Sequence, residues 1–295
     1  MTINPGLLSR LVCTSCKSEL EIDDLKNQLH CHACRSIYPV EQGVPIMLTK
    51  SANPAKIGFN YLEHYRKDAE EFDYFEVRTG ATEHSERRLR EYIVSLIPHE
   101  TKSILDVGCG SAWLAKEYVY KNIFVCSLDA TIINTTKALQ TYPSQYHAAV
   151  VADAYKLPFT DDSFDCIVAA EIIEHVTDPK TFVDELIRVL APGGALVVST
   201  PYKEVIRYAL CIHCNEKTPV NSHLHSFDEN KLLQLYDPMS MSMFSWKAFN
   251  NTLLLFTRTY IILRYLPFKL WRLIDSAINL LFNKRVNIIT KAIKR

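Results

Sequence analysis

The stretch SILDVGCGSAWL, residues 103–114, decides how the rest of the chain reads. Three apolar residues (Ile104, Leu105 and Val107) run into two glycines two positions apart, and a helical pattern follows. That is a buried strand turning sharply into a helix, an arrangement that brings backbone close to a bound nucleotide. Gly108 and Gly110 lack the Cβ that would hold a ligand away, and Asp106 sets a carboxylate beside the turn. Outward from this turn, strands at 103–107, 123–128, 147–151, 165–169 and 195–200 alternate with helices at about 112–121, 132–142 and 179–190. The alternation predicts an α/β fold, a doubly wound and mostly parallel sheet. Pro192-Gly193-Gly194 reads as the turn into the fifth strand, and 228–236 as a later helix. Residues 241–249 and 252–260 flank Asn250-Asn251 and read as an antiparallel terminal hairpin, which completes seven strands.

At 295 residues, with 48% hydrophobic and 22% charged residues, the chain is globular, with room for one large domain and a small one. Lys+Arg and Asp+Glu are equal at 33 each but unevenly placed. Residues 258–295 carry nine basic side chains and one acidic, which leaves an acidic middle. An acidic body is a poor surface for nucleic acid. No apolar run reaches the roughly 20 residues of a membrane span, and the first residues lack the apolar stretch of a secretory signal. Nine cysteines, four of them in paired CxxC units, suit metal binding in a reducing compartment, so a cytoplasmic protein is expected.

Cys13 and Cys16, then Cys31 and Cys34, form two CxxC turns fourteen residues apart. Two such turns supply the four thiolates of a tetrahedral structural zinc site. The segment LLSRLVCTSCKSELEIDDLKNQLHCHACRSIYPVEQGVPIML resembles the small zinc-ribbon domains that occur alone, fused to methyltransferases, or as methyltransferase-activating subunits. The resemblance implies a structural or partner-contacting ribbon over residues 1–50. Residues 51–84 follow as a linker whose aromatic residues pack on the sheet or, at 59–65, close over a ligand. Residues 86–97 read as a helix.

Three acidic positions narrow the ligand. Asp106 precedes the first glycine and suits a cationic amino group better than a pyrophosphate. Asp129 ends the second strand, where a carboxylate can accept both ribose hydroxyls. Asp153, with Ala154, follows the third strand, within reach of an adenine amino group. The motifs ILDVGCGSAWLA, DAYKLPFTDDSFDCIVAAEIIEHV and LAPGGALVVSTP resemble the class I S-adenosylmethionine (SAM)-dependent methyltransferases, over about residues 85–260. The resemblance implies that SAM is held by Asp106, Gly108, Cys109 and Gly110, by Asp129 and Ala130, and by Asp153 and Ala154, with Glu171 nearby. One departure is Ala112, where many members have a third glycine; its methyl is expected to be tolerated at the helix start.

Methyl transfer needs an aligned acceptor and, for a hydroxyl, a route for its proton. Glu171, Glu174 and His175 follow the fourth strand. They resemble a group that helps hold a divalent cation such as Mg²⁺ in quinone-biosynthesis O-methyltransferases and small-RNA 3′-end methyltransferases. Cys211 and Cys214 with His223 and His225 allow a second zinc site; alternatively, one of those histidines faces the cofactor. The candidate catalytic residues are therefore His175, Glu174 and His225. Residues 261–295 read as a basic amphipathic tail that docks on the acidic body or lies on a membrane surface. The expected activity is methylation, at oxygen, of a small-molecule or lipid-linked acceptor. The alternatives are an RNA methyltransferase and a non-catalytic scaffold that binds SAM or a partner through the ribbon.

Overall fold

The computed structural model describes residues 3–23, 25–48, 60–212, 215–256 and 258–295. Two homologous turns build the ribbon. Lys17 N–H donates to Cys13 O and Arg35 N–H to Cys31 O, each at 2.8 Å, and both Lys17 and Arg35 have φ of +61°. Each turn thus folds its CxxC pair around one point. Short strands Glu21–Asp23, Gln28–His30, Ile37–Glu41 and Val44–Pro45 pair antiparallel in sequence order between and after these turns.

The main sheet comprises β1 (Ser103–Val107), β2 (Phe124–Asp129), β3 (His147–Val151), β4 (Phe164–Ala170), β5 (Leu190–Pro201), β6 (Met241–Asn251) and β7 (Arg285–Lys294). Its order is β3-β2-β1-β4-β5-β7-β6, with β1 to β5 parallel and β7 antiparallel to both neighbours. Every residue of β1, β2 and β3 is buried, as expected for parallel strands covered on both faces. The longer helices are α1 (Tyr61–Glu71), α2 (Gly80–Leu96), α3 (Trp113–Tyr118), α4 (Ile132–Thr141), α5 (Pro179–Val189) and α6 (Phe268–Leu281). Asn60, Thr131 and Asp178 cap three of them; Asp178, for example, accepts from Lys180 and Thr181 N–H ahead of Pro179. Pro192-Gly193-Gly194 lies inside β5 as an irregularity rather than before it, next to a register shift against β4.

The terminal hairpin differs from expectation. Asn250 and Asn251 end a continuous β6 rather than forming a turn, and Thr252–Phe256 is helical. The antiparallel partner of β6 is β7, registered from Met241↔Lys294 to Asn251↔Arg285 and inserted between β6 and β5. Residues 261–295 are therefore not a free tail, and the sheet extends to Lys294. Local pattern misleads here because an apolar run like 252–260 serves helix or strand equally. The basic residues around Ile288, Ile289 and Ala292 also mask a strand core whose three apolar residues are fully buried.

The ribbon shares one core with the sheet. Leu7, Leu11, Leu29, Tyr38 and Met47 cluster with Phe124, Phe159 and Phe164. Met47 N–H donates to Val151 O at 2.7 Å, so ribbon backbone covers the β3 edge that would otherwise be open, and Val12 N–H donates to Pro158 O at 2.9 Å in the segment that follows β3.

Candidate active site

The carboxyl ends of β1, β2 and β4 converge on the glycine turn. Gly108 has φ +68°, and a Cβ there would lie 2.2 Å from Ile172 Cδ1. Gly108 and Cys109 N–H both donate to Leu128 O, at 2.8 and 2.9 Å, which locks the turn to β2. Gly110 has φ +46°, and its N–H reaches Asp129 Oδ2 at 3.4 Å. Ala112 is fully buried with φ +50°. Its methyl is accommodated, but the left-handed backbone costs about 1 kcal/mol that a glycine would avoid.

Asp106 is buried, and its Oδ2 has no hydrogen-bond partner. Burial, with Asp129 nearby, pushes its carboxyl well above the usual carboxylate range. A buried acceptor left unpaired in this way is a place for a cationic or donor group. Asp129 accepts from Thr131 N–H (3.1 Å), Thr131 Oγ1 (3.2 Å) and Asn134 Nδ2 (3.2 Å); burial raises its pKa against those donors. Asp153 accepts from Tyr155 N–H at 3.0 Å and from the Tyr61 hydroxyl at 2.7 Å. Tyr61 comes from α1, so the aromatic linker does reach the third acidic position. The same helix sets the half-buried Tyr65 edge-on to His175, with ring centroids 6.0 Å apart, and beyond it Tyr74 lies over Gly110. Phe59, the start of the expected lid, lies outside the described residues.

The wall after β4 is held from three sides. Glu171 has φ +55° and accepts from Ser199 Oγ at 3.0 Å and Asn287 Nδ2 at 3.5 Å; burial pushes its carboxyl up to about 7. Glu174 is buried, with Oε2 accepting from Thr200 Oγ1 at 2.9 Å, and burial and Glu171 raise its pKa. His175 Nδ1 donates to Ser222 O at 3.3 Å, and His223 Nδ1 donates to Glu204 Oε2 at 2.5 Å. With Nδ1 engaged in both rings, Nε2 is the nitrogen left to ligate a metal. Their rings stand 4.8 Å apart, and burial and His223 bring the His175 pKa down to about 4. One ligand atom each from Glu174, His175 and His223 lies within 4.8 Å of the others.

That grouping departs from the expected second zinc set. His223 joins Glu174 and His175, whereas His225 turns away, its ring 5.8 Å from Phe227 and its Nε2 buried without a partner. The segment is not extended. Asn221 and Ser222 have positive φ, and Leu224 and His225 N–H both donate to Glu174 O, at 2.7 and 3.2 Å, so the chain wraps a carbonyl. Cys211 follows the strand Tyr208–Leu210 and falls outside this group; Cys214 lies outside the described residues. Sequence reasoning missed Thr200, Glu204 and Asn287 as site neighbours, none of which carried a visible signal, whereas Tyr61 falls in the run 59–65 expected to close over a ligand. In the ribbon, the four cysteines do converge within 4.8 Å, with the Tyr38 hydroxyl 3.1 Å from Cys13 Sγ. Four sulfurs close such a site, which makes it a structural zinc centre.

Comparison with known proteins defines the class. Residues 105–198 match the family model described as methyltransferase domain, and residues 4–43 match that described as Trm112p-like protein. The chain thus has a region similar to methyltransferase domains behind one similar to Trm112p-like proteins. Among its curated relatives, the mitochondrial ubiquinone biosynthesis O-methyltransferase of Dictyostelium discoideum is 28% identical over 145 residues, 43% of this chain and 45% of that one. The chloroplastic tocopherol O-methyltransferase of Arabidopsis thaliana is 37% identical over 105 residues, 34% of this chain and 30% of that one. The chain thus spans less than half the length of these relatives. Among solved structures, a complex of the Haloferax volcanii Trm112 methyltransferase activator with a methyltransferase aligns over 79% of this chain and 95% of that one, with a TM-score of 0.51 and 14% identity. The [4+2]-cyclase SpnF aligns over 70% and 80%, with 0.50 and 19%. Both share the fold. A cyclase among them shows that the fold alone does not assign the reaction.

Proposed function

We propose that this chain transfers the methyl group of SAM to a hydroxyl oxygen of a small-molecule or lipid-linked acceptor. The observation that carries the reading is the placing of Asp106, Asp129 and Asp153 at three successive strand ends, one of them with an unpaired buried carboxylate oxygen. Asp106 would face the cationic amino group of the methionine part, Asp129 the ribose, and Asp153 with Ala154 the adenine. Gly108 and Gly110 give the room, with Cys109 and Ala130 alongside. Tyr61 and Tyr74 cover the pocket and exclude water.

Glu174, His175 and His223 fit a divalent cation by donor chemistry: one carboxylate and two imidazoles whose Nδ1 is engaged elsewhere, which leaves Nε2 as the ligating atom. Such an ion would lower the pKa of the acceptor hydroxyl. Glu204 orients His223, Ser222 orients His175, and Thr200 orients Glu174. Glu171, held by Ser199 and Asn287, shapes the wall between this group and the glycine turn. His225 supports the wall through its backbone rather than acting as a catalytic base. Oxygen methylation of ring compounds by the ubiquinone and tocopherol relatives supports this acceptor class. The acidic middle of the chain speaks against RNA.

Formation of S-adenosylhomocysteine should be measured with hydroquinone and catechol acceptors. His223→Ala should lower turnover by about 100-fold, as loss of a metal ligand does, while SAM affinity stays unchanged. Wild-type turnover in His223→Ala would remove the metal from the reading; absence of SAM binding in the wild type would overturn the whole of it.

We read the ribbon as an activator built into the chain, because its docking backbone is taken up by the chain's own β3 edge. Buried Cys109, Cys126 and Cys166 are thiols, which suits the cytoplasm; recovery of the protein from an oxidising compartment would contradict that placement. No described helix is long and apolar enough to cross a membrane.

A further inference from the structure

Where the sequence suggests a two-residue turn, residues 252–256 and 258–284 lie between β6 and β7 as a largely helical insertion. Its main helix, α6, is inside out. The residues it buries are Trp271, Asp275 and Asn279, spaced four apart on one face. Asp275 accepts from Asn251 N–H at 2.7 Å, Asn250 N–H at 3.2 Å and Asn279 Nδ2 at 3.0 Å, and Asn279 Oδ1 accepts from Asn251 Nδ2 at 2.7 Å. The polar side of the helix is therefore satisfied inside the protein. Its leucines point outward: Leu273, Leu280 and Leu281 are 67%, 84% and 75% exposed. Ile262, Tyr265 and Phe282 extend the same apolar surface, each more than half exposed. Large apolar side chains grouped in this way mark an interaction surface rather than ordinary exposure.

The exposed charge within the insertion is of one sign. Arg258, Arg264, Lys269, Arg272 and Lys284 are all exposed, and the one acidic residue of the insertion, Asp275, is buried. We propose that residues 258–284 form a membrane-interface platform, with the leucines entering the boundary of an anionic lipid surface and the five cations meeting its head groups. Apolar side chains ringed by cations are the pattern by which helices lie in a lipid interface. The place in the fold agrees. Asn251 of β6 pairs with Arg285, and Asn287 pairs with Pro201 and donates to Glu171. The platform thus grows from the end of the sheet on which the candidate active site lies, the carboxyl ends of the parallel strands, where an acceptor dissolved in lipid would be delivered. The proposal is independent of the methyl-transfer reading, since binding to lipid needs no turnover.

Flotation of the full chain with phosphatidylcholine vesicles, and with vesicles containing about 30 mol% phosphatidylglycerol, tests it. The wild type should bind the anionic vesicles at least about 10-fold better, and the difference should shrink as salt screens the charges. The double variant Leu280→Asp with Leu281→Asp should lose that binding about 10-fold or more while keeping its melting temperature and SAM affinity, because both side chains are exposed. The charge variant Arg264→Glu with Arg272→Glu should lose the preference for the anionic lipid. Failure of the wild type to float, or equal flotation of the leucine variant, would overturn the proposal. So would a concentration-dependent dimer in light scattering that Leu280→Asp dissolves, which would make the face a contact between two copies.

Discussion

Asp106 sits fully inside the protein with one carboxylate oxygen unpaired, and this has a consequence that can be measured without substrate. Its pKa in the fold is raised well above that of an unfolded aspartate by burial and by Asp129. The folded state then binds this proton more tightly than the unfolded one, so the ligand-free protein loses stability as pH rises above about 4. Asp106→Asn removes that loss. The variant should melt higher than wild type at pH 7 without ligand, and its SAM affinity should fall about 100-fold or more, because the partner of the cationic amino group is gone. Scanning fluorimetry and calorimetric titration read the two effects; an Asn variant that binds SAM as wild type does would remove the assignment. Gly108→Ala belongs to the same scale. A methyl 2.2 Å from Ile172 Cδ1, on a backbone with φ +68°, should abolish SAM binding while the fold survives with a loss of about 1–3 kcal/mol.

At the scale of the element, α6 reverses the usual rule that a helix buries its apolar side. Asp275 ties the last residues of β6 to the helix through two backbone N–H groups and Asn279. Asp275→Ala should strand those donors and cost about 3 kcal/mol, read as a fall in the urea midpoint. Leu280→Asp, on the opposite face, should change stability by less than about 0.5 kcal/mol. The reverse ranking would mean that the helix packs through its leucines. This inversion is also why the segment misleads when read as a string. The periodicity of its leucines is correct for a helix, but periodicity does not tell which face meets the protein.

At the scale of the whole molecule, ribbon and sheet form one cooperative body. Leu7, Leu11 and Met47 pack with Phe124, Phe159 and Phe164, and the backbone of residues 46 and 47 completes the β3 edge. Stripping the zinc with a chelator, or replacing Cys13 and Cys16 by serine, should therefore lower a single melting transition of the entire chain by roughly 10 °C or more. A ribbon that melted alone, leaving the methyltransferase transition in place, would contradict the shared core.

What is local was legible in the residues. Glycines with φ beyond the reach of other side chains, CxxC pairs, and strand-to-helix alternation are written within a few positions of where they act, and the five parallel strands, the cysteine site and the acidic strand ends all follow from them. Tertiary structure decided the rest, because it depends on partners far apart in the chain. Only the fold pairs β7 with β5 and β6, brings Asn287 to Glu171, and selects His223 over His225 by wrapping residues 221–225 around the carbonyl of Glu174. Long-range pairing is set by which buried surfaces fit together, and no short stretch of sequence carries that information.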